Sequence, residues 1–320
     1  MNDRIDIHAH FVPDFYREAL LAGGHEHPDG IAAVPEWSEE LHLDTMDRLG
    51  VRTSMLSISS PGVHFGDDLK AATLARAVNE EAHRIVARQP ERFGFFASLP
   101  LPDVDAALDE LRYSLDVLGA DGITIETNHH GMYLGDERLE PVYAEIARRG
   151  SAVFIHPTTA HGGEHLALGY PRPMLEFMFE TTRSVTNLIL SGALDRADGA
   201  SFIVPHAGAA LSVLANRIEL LLPLLTPPGG ETPPSVRAAL ARLHFDLAGA
   251  PVDELLSALL SVADHERIHY GSDFPFTPAD ACVALRSRLD SAASLSAGLR
   301  LAIDTTNSRA LFPRLASQLA

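Results

Sequence analysis

Thiols and amines are nearly missing from this chain. Cys282 is its one cysteine and Lys70 its one lysine, among 25 Lys and Arg residues in all. A lone cysteine excludes any disulfide within the chain and leaves no basis for a thiolate metal cluster. Positive charge is short as well: Asp and Glu number 43, and the formal net charge is −18. Such a field repels phosphate backbones and anionic lipid surfaces, so neither nucleic acid nor membrane is an expected partner. No apolar run comes near the roughly 20 residues of a membrane span. The first residues, Met1 to Ile7, enter a strand-like pattern directly and lack the apolar core of a secretory leader. A soluble, cytoplasmic protein is the expectation. No Gly-x-Gly-x-x-Gly follows an early strand, which weighs against a dinucleotide-binding sheet.

What is present is an alternation. Hydrophobic residues make up 46% of the chain, enough for a sizeable core. Short runs rich in Val, Ile and Phe read as eight strands: Ile5–His10, Thr53–Ser59, Phe93–Leu99, Gly122–Glu126, Ala152–His156, Ser201–His206, His244–Asp246 and Ile268–Asp273. Between them apolar residues recur every three or four positions, as in Val104-Ala107-Leu108-Leu111-Leu115-Leu118, with Asp103 as N-cap and Gly119 just past the end. Further helical periods cover Glu39–Leu49, Asp68–Arg88, Glu140–Arg149, Pro173–Asp195, Ala209–Leu225, Val252–Val262 and Ser296–Phe312. Strands alternating with helices imply parallel pairing, and eight such units predict an α/β fold closed as a (β/α)8 TIM barrel. We read residues 1–320 as one domain of this kind, with inserts at about 11–38 and 157–172. Thr226–Pro234 (TPPGGETPP) reads as an exposed loop.

Chemistry in such a barrel collects at the C-terminal ends of the strands. The first strand ends in His8-Ala9-His10, and its period of two puts both imidazoles on one face. The fifth ends in His156, the sixth in His206 and the eighth in Asp273. Imidazoles with a carboxylate suit zinc or a similar divalent ion with one position left open. A His-x-His pair alone is weak evidence among 16 histidines, and His25-Glu26-His27 is a second pair, in a loop with no strand before it. The strand-end placement sets His8 and His10 apart. His83 reads as a helix-face residue, and His244 and His269 as outward-facing packing residues. His64, His129, His130, His161 and His165 fall in loops at the expected catalytic face.

This constellation resembles the amidohydrolase superfamily over essentially the whole chain. Its local texture is similar to the branch of aminocarboxymuconate-semialdehyde, γ-resorcylate and 6-methylsalicylate decarboxylases. The matching segments are Asp6-Ile7-His8-Ala9-His10-Phe11, Met46-Asp47-Arg48-Leu49-Gly50-Val51, Phe179-Glu180-Thr181-Thr182, Pro205-His206-Ala207-Gly208-Ala209-Ala210, Tyr270-Gly271-Ser272-Asp273-Phe274-Pro275-Phe276 and Asn307–Phe312. The resemblance implies metal ligands His8, His10, His156 and Asp273, with His206 a non-ligand acid/base. Strand four ends in Ile125-Glu126, not lysine, so a carboxylated-lysine bridge is unavailable and one ion per chain is expected, zinc first and manganese second. Glu126 leaves a bridged pair open. Arg217 matches the arginine that grips the substrate carboxylate from a neighbouring subunit, which implies a homodimer. His42 falls where a second such arginine would sit, making it a substrate-binding candidate and favouring a mono-carboxylate such as a hydroxybenzoate. The implied reaction is non-oxidative decarboxylation of a small aromatic or unsaturated acid. The same residues would also serve a hydrolase of a lactone, ester or amide, and a barrel kept only for binding is the third reading.

Overall fold

A computed structural model describes residues 3–163, 165–225, 234–249 and 253–317; most of the Thr226–Pro234 segment lies outside them. The eight strands form one parallel sheet in sequence order: β1 (Arg4–His10), β2 (Val51–Ser57), β3 (Phe93–Ser98), β4 (Gly122–Glu126), β5 (Ala152–His156), β6 (Ser201–Val204), β7 (His244–Asp246) and β8 (Ile268–His269). The sheet closes on itself. Ile7 N donates to Tyr270 O at 3.0 Å, Asp273 N to His8 O at 2.7 Å and His10 N to Phe274 O at 2.7 Å. The fold is therefore the expected (β/α)8 barrel. Strand β6 stops two residues short of the expectation because Pro205 has no N–H to give and His206 turns left-handed, with φ 56°.

Alternation sorts each strand between two apolar layers. Val153 and Ile155 of β5 join the outer layer beneath the helices, with Phe93, Phe95, Ile123 and Ile125. Phe154 joins a smaller inner cluster with Ile5, Ile7, Met55, Phe96 and Ile203. Strand β1 carries both odd and even residues inward. Its register slips by one residue between Asp6 and Ala9 against β2, and this bulge turns His8 and His10 to the face that Ile5 and Ile7 occupy lower down. Gly271 makes room for that turn, since a Cβ there would stand 2.7 Å from the His8 Cβ.

Helices Glu39–Leu49, Asp68–Arg88 and Glu140–Arg149 lie where the periodicity puts them. Asp103 caps Val104–Asp116 by accepting from Ala106 N at 3.1 Å. The expected Pro173–Asp195 helix is broken into Glu176–Leu190 and Ala193–Arg196 by Gly192, whose φ is 76°. Ser296–Phe312 is wound more loosely in its middle, with π-helical geometry over Ala302–Thr306. There the Ile303 carbonyl accepts from Tyr270 N at 3.2 Å, and Thr305 reaches Asp3 O. Helices Asp14–Ala22, Val236–Arg242 and Ala279–Ser291 add to the reading.

The lower end of the barrel is stoppered by the chain's own last turns. Phe312 and Leu315 enter the inner cluster, and Arg314 Nε binds Asp121 Oδ1 at 2.7 Å. His244 and His269 correct our expectation of outward packing. His269 pairs in register with Asp246, whose side chain reaches His8, so His269 shares the inner face of the sheet. The two rings are buried against each other, Nδ1 to Nε2 at 2.9 Å, and His269 Nδ1 meets Ser308 Oγ at 2.9 Å.

Candidate active site

Four of the expected residues converge at the barrel mouth. One ligand atom from each of His8, His10, His156 and Asp273 lies within 4.8 Å of the others. Hydrogen bonds fix the imidazole tautomers. His8 Nδ1 donates to Asp246 Oδ2 at 2.9 Å. Ser57 Oγ gives its own proton to Ala9 O, so it accepts from His10 Nδ1 at 2.9 Å. Both Nε2 lone pairs are thereby turned toward Asp273, whose Oδ1 lies 3.6 Å from His8 and 3.2 Å from His10. Both Nε2 atoms are buried and lack a hydrogen-bond partner. A buried polar atom left so costs about 1–3 kcal/mol, and a divalent ion removes that cost twice over. The donor set fits such an ion.

Charge follows the same geometry. Burial alone would lower the His8 pKa, but the Asp246 carboxylate beside it raises it to about 9, so in the absence of an ion Nε2 holds a proton that metal binding would displace. Burial would raise Asp246, yet His8 holds it below the ordinary carboxylate value. Burial keeps His10 and His156 neutral, and their like-charged neighbours add to that. Asp273 is likewise opposed by burial but held well below the carboxylate range by the His10, His206 and His8 imidazoles beside it.

His206 stands beside this set. Its Nε2 is 3.8 Å from Asp273 Oδ2, and its Nδ1 is buried with no partner. Its backbone is unusual: His206, Ala207, Gly208 and Ala209 all have positive φ, from 52° to 74°. Such residues other than glycine cost about 1–3 kcal/mol each, and this turn throws the His206 ring into a cleft. Asp246 anchors the turn by accepting from His206 N at 3.0 Å through its Oδ1. Asp246 is the residue that sequence reasoning missed. It closes a three-residue strand, and nothing local tells that one carboxylate serves His8 and His206 together.

The cleft holds about 450 Å³ and is lined by His156, His206 and Asp273 together with Phe177, Met174, Met178, Phe276 and Leu255. It is mostly apolar and of a size for one aromatic ring. Asp29, from the first insert, forms part of its rim and accepts from Thr159 Oγ1 at 2.5 Å. His42 is not among the lining residues. Trp37 Nε1 donates to its Nδ1 at 2.9 Å and its Nε2 donates to Ser54 Oγ at 3.0 Å, so both ring nitrogens are occupied away from the cleft. Arg217 does not line it either; it is exposed on helix Leu211–Leu225. His64, His129, His130 and His161 line a second cavity of about 380 Å³ with Glu126 at its wall, and His165 is exposed.

Comparison with known proteins gives the chain a family. The amidohydrolase family model matches residues 5–314. The 6-methylsalicylic acid decarboxylase acuB of Aspergillus aculeatus is 39% identical, over 98% of this chain and 96% of that protein. The crystal structure of an amidohydrolase superposes with a TM-score of 0.90 at 32% identity, covering 97% of this chain and 99% of the other. A dihydroxybenzoic acid decarboxylase from Polaromonas sp. JS666, solved with manganese and 2-nitroresorcinol, superposes with a TM-score of 0.83 at 22% identity, over 98% and 97% of the two chains. The chain belongs to the amidohydrolase family, in the branch that contains the 6-methylsalicylate decarboxylases.

Proposed function

We infer that this chain is a metal-dependent non-oxidative decarboxylase of aromatic acids, with hydroxybenzoates of the 6-methylsalicylate kind as its substrates. The observation that carries the reading is a whole-length relative of that activity joined to a ligand set opening on a ring-sized apolar cleft. It also decides for decarboxylation where the residues alone left hydrolysis open.

His8, His10, His156 and Asp273 would hold the ion. When bound, it would supply the positive charge that fixes a carboxylate and an adjacent hydroxyl in the cleft. Phe177 and Phe276 flank the ring. His206 and Asp273 hold the proton that goes to the ring carbon bearing the carboxylate; the bond to CO2 then breaks with its electron pair returning to the ring. Thr277 Oγ1 donates to Asp273 Oδ2 at 3.2 Å and fixes that carboxylate's orientation. Zinc suits three imidazoles and a carboxylate, and manganese, bound by a structural relative, is the other candidate. For assembly we favour a homodimer. Arg217 shares a stripe with Val213, Leu220 and Leu224, each more than 60% exposed, and would meet the substrate carboxylate of the neighbouring chain.

CO2 release from 6-methylsalicylate and related hydroxybenzoates, run beside ester and lactone panels, tests the activity. Asp273→Ala is expected to lose metal and turnover together. His206→Ala should keep its metal and lose at least ~100-fold in turnover; loss of metal from that variant would put His206 among the ligands.

A further inference from the structure

Two of the three ligand imidazoles have their outer nitrogen fixed by a named oxygen, Asp246 for His8 and Ser57 for His10. The third, His156, faces Glu126. These two residues are register partners at the ends of β5 and β4, so both side chains enter the barrel at one level. Glu126 Oε2 stands 3.5 Å from His156 Nδ1. Both atoms are buried and neither has another partner, while the ring's other nitrogen, Nε2, lies 3.4 Å from Ser59 Oγ on the side of the cleft that holds Asp273. The carboxylate is held down from above: a Cβ on Gly62 would lie 3.2 Å from Glu126 Oε1, and Tyr16 fixes that loop by donating to Gly62 O at 2.7 Å.

Resting on the metal reading above, we propose that Glu126 is a positioning residue for the ion, accepting from His156 Nδ1 so that Nε2 keeps its lone pair for the metal. It is not a bridging ligand. Its carboxylate addresses the outer nitrogen of His156, on the side of the second cavity, and it does not belong to the four-residue ligand group. A carboxylate behind a ligand imidazole fixes ring and tautomer and raises the basicity of the inner nitrogen. A packing role alone would favour an apolar residue, since a buried carboxylate without a partner is costly.

The test is metal affinity, measured by titrating zinc into stripped protein against a chromophoric chelator, for the parent, Glu126→Gln and Glu126→Ala. Glu126→Ala should bind zinc about 10–100-fold more weakly. Glu126→Gln should fall between the two, because its amide oxygen still accepts from Nδ1 but without charge. Stoichiometry should stay at one per chain throughout. Parent affinity in a folded Glu126→Ala would overturn the proposal, and if that variant does not fold, parent affinity in the isosteric Glu126→Gln would do the same. Two zinc ions in the parent falling to one in Glu126→Ala would make Glu126 a bridge instead. No tight zinc in the parent would sink the metal reading itself, a different result from any of these.

Discussion

One carboxylate, Asp246, does three things at the mouth of this barrel. Its Oδ2 orients His8, its Oδ1 accepts from the His206 backbone, and the same Oδ1 accepts from Ala248 N at 2.9 Å. Removing it strands three buried donors at once. Asp246→Ala should therefore lower metal affinity by about 10–100-fold and destabilise the fold by roughly 3–5 kcal/mol, the range for breaking a buried charged pair. Chelator competition and urea unfolding read the two effects separately. Asp246→Asn, which still accepts through one oxygen, should recover most of the stability and less of the affinity. Unchanged metal binding in both would remove Asp246 from the site's support.

At the scale of elements, most of the strands were legible because an apolar run ending in histidine or aspartate is hard to read otherwise. His8, His10, His156, His206 and Asp273 all came together as their strand ends foretold. The helices that escaped had reasons. Ala279–Ser291 buries only Cys282 and Leu289, seven residues apart, too sparse a stripe to give a period. Gly192 and the left-handed run from His206 to Ala209 break helices by backbone conformation, which side-chain spacing does not encode. His42 went astray because position in a family pattern does not say that Trp37 and Ser54 already occupy its ring. The helix Leu211–Leu225 is more apolar than expected. Among the described residues, His206–Leu225 is the one helical stretch long and apolar enough by composition to cross a membrane, against our reading that none exists. Leu211 and Ala215 nonetheless pack on the protein, and Glu219 accepts from Ser235 Oγ at 2.6 Å.

That exposed stripe is where the assembly prediction belongs. Leu220→Glu should shift the protein to monomer in sedimentation, if the face joins two chains. Arg217→Ala should raise KM at least ~10-fold with metal content unchanged, since a guanidinium holds a carboxylate through two parallel bonds. Mixing inactive His206→Ala protein with the weakened Arg217→Ala protein should then give more activity at low substrate than either alone, each heterodimer having one intact site. Demonstrated subunit exchange without that gain would place Arg217 outside the partner's cleft.

The whole molecule carries an acid liability in its buried imidazoles. Burial lowers His42 and His129 to about 3 and His244 to about 4, with nearby cations adding to it, and His269 well below its ordinary value. Each is neutral when folded and charges in the unfolded chain near pH 6.5. The share of stability that these four imidazoles contribute should thus be full above about pH 6.5 and fall as pH drops below it, while Asp6, raised to about 7 by burial, and His8, raised to about 9 beside Asp246, act in the opposite sense. Urea midpoints of the parent and of His244→Gln between pH 4 and 8 would check the sign; an acid-side loss no smaller in the variant would contradict it. The stopper at the other end is an apolar matter. Phe312→Ala should cost about 3–5 kcal/mol by the cavity it leaves, read from the same unfolding curves.

The closure bonds between β1 and the segment after β8 have a consequence for how the protein comes off the ribosome. His8 and His10 are made long before Asp273, yet they meet across the seam that joins the first and eighth strands. The emerging chain therefore holds an incomplete ligand set until Asp273 has been made. It can complete that set only when the eighth strand slots beside the first. An ion held by His8, His10 and Asp273 would act as a rivet across the join.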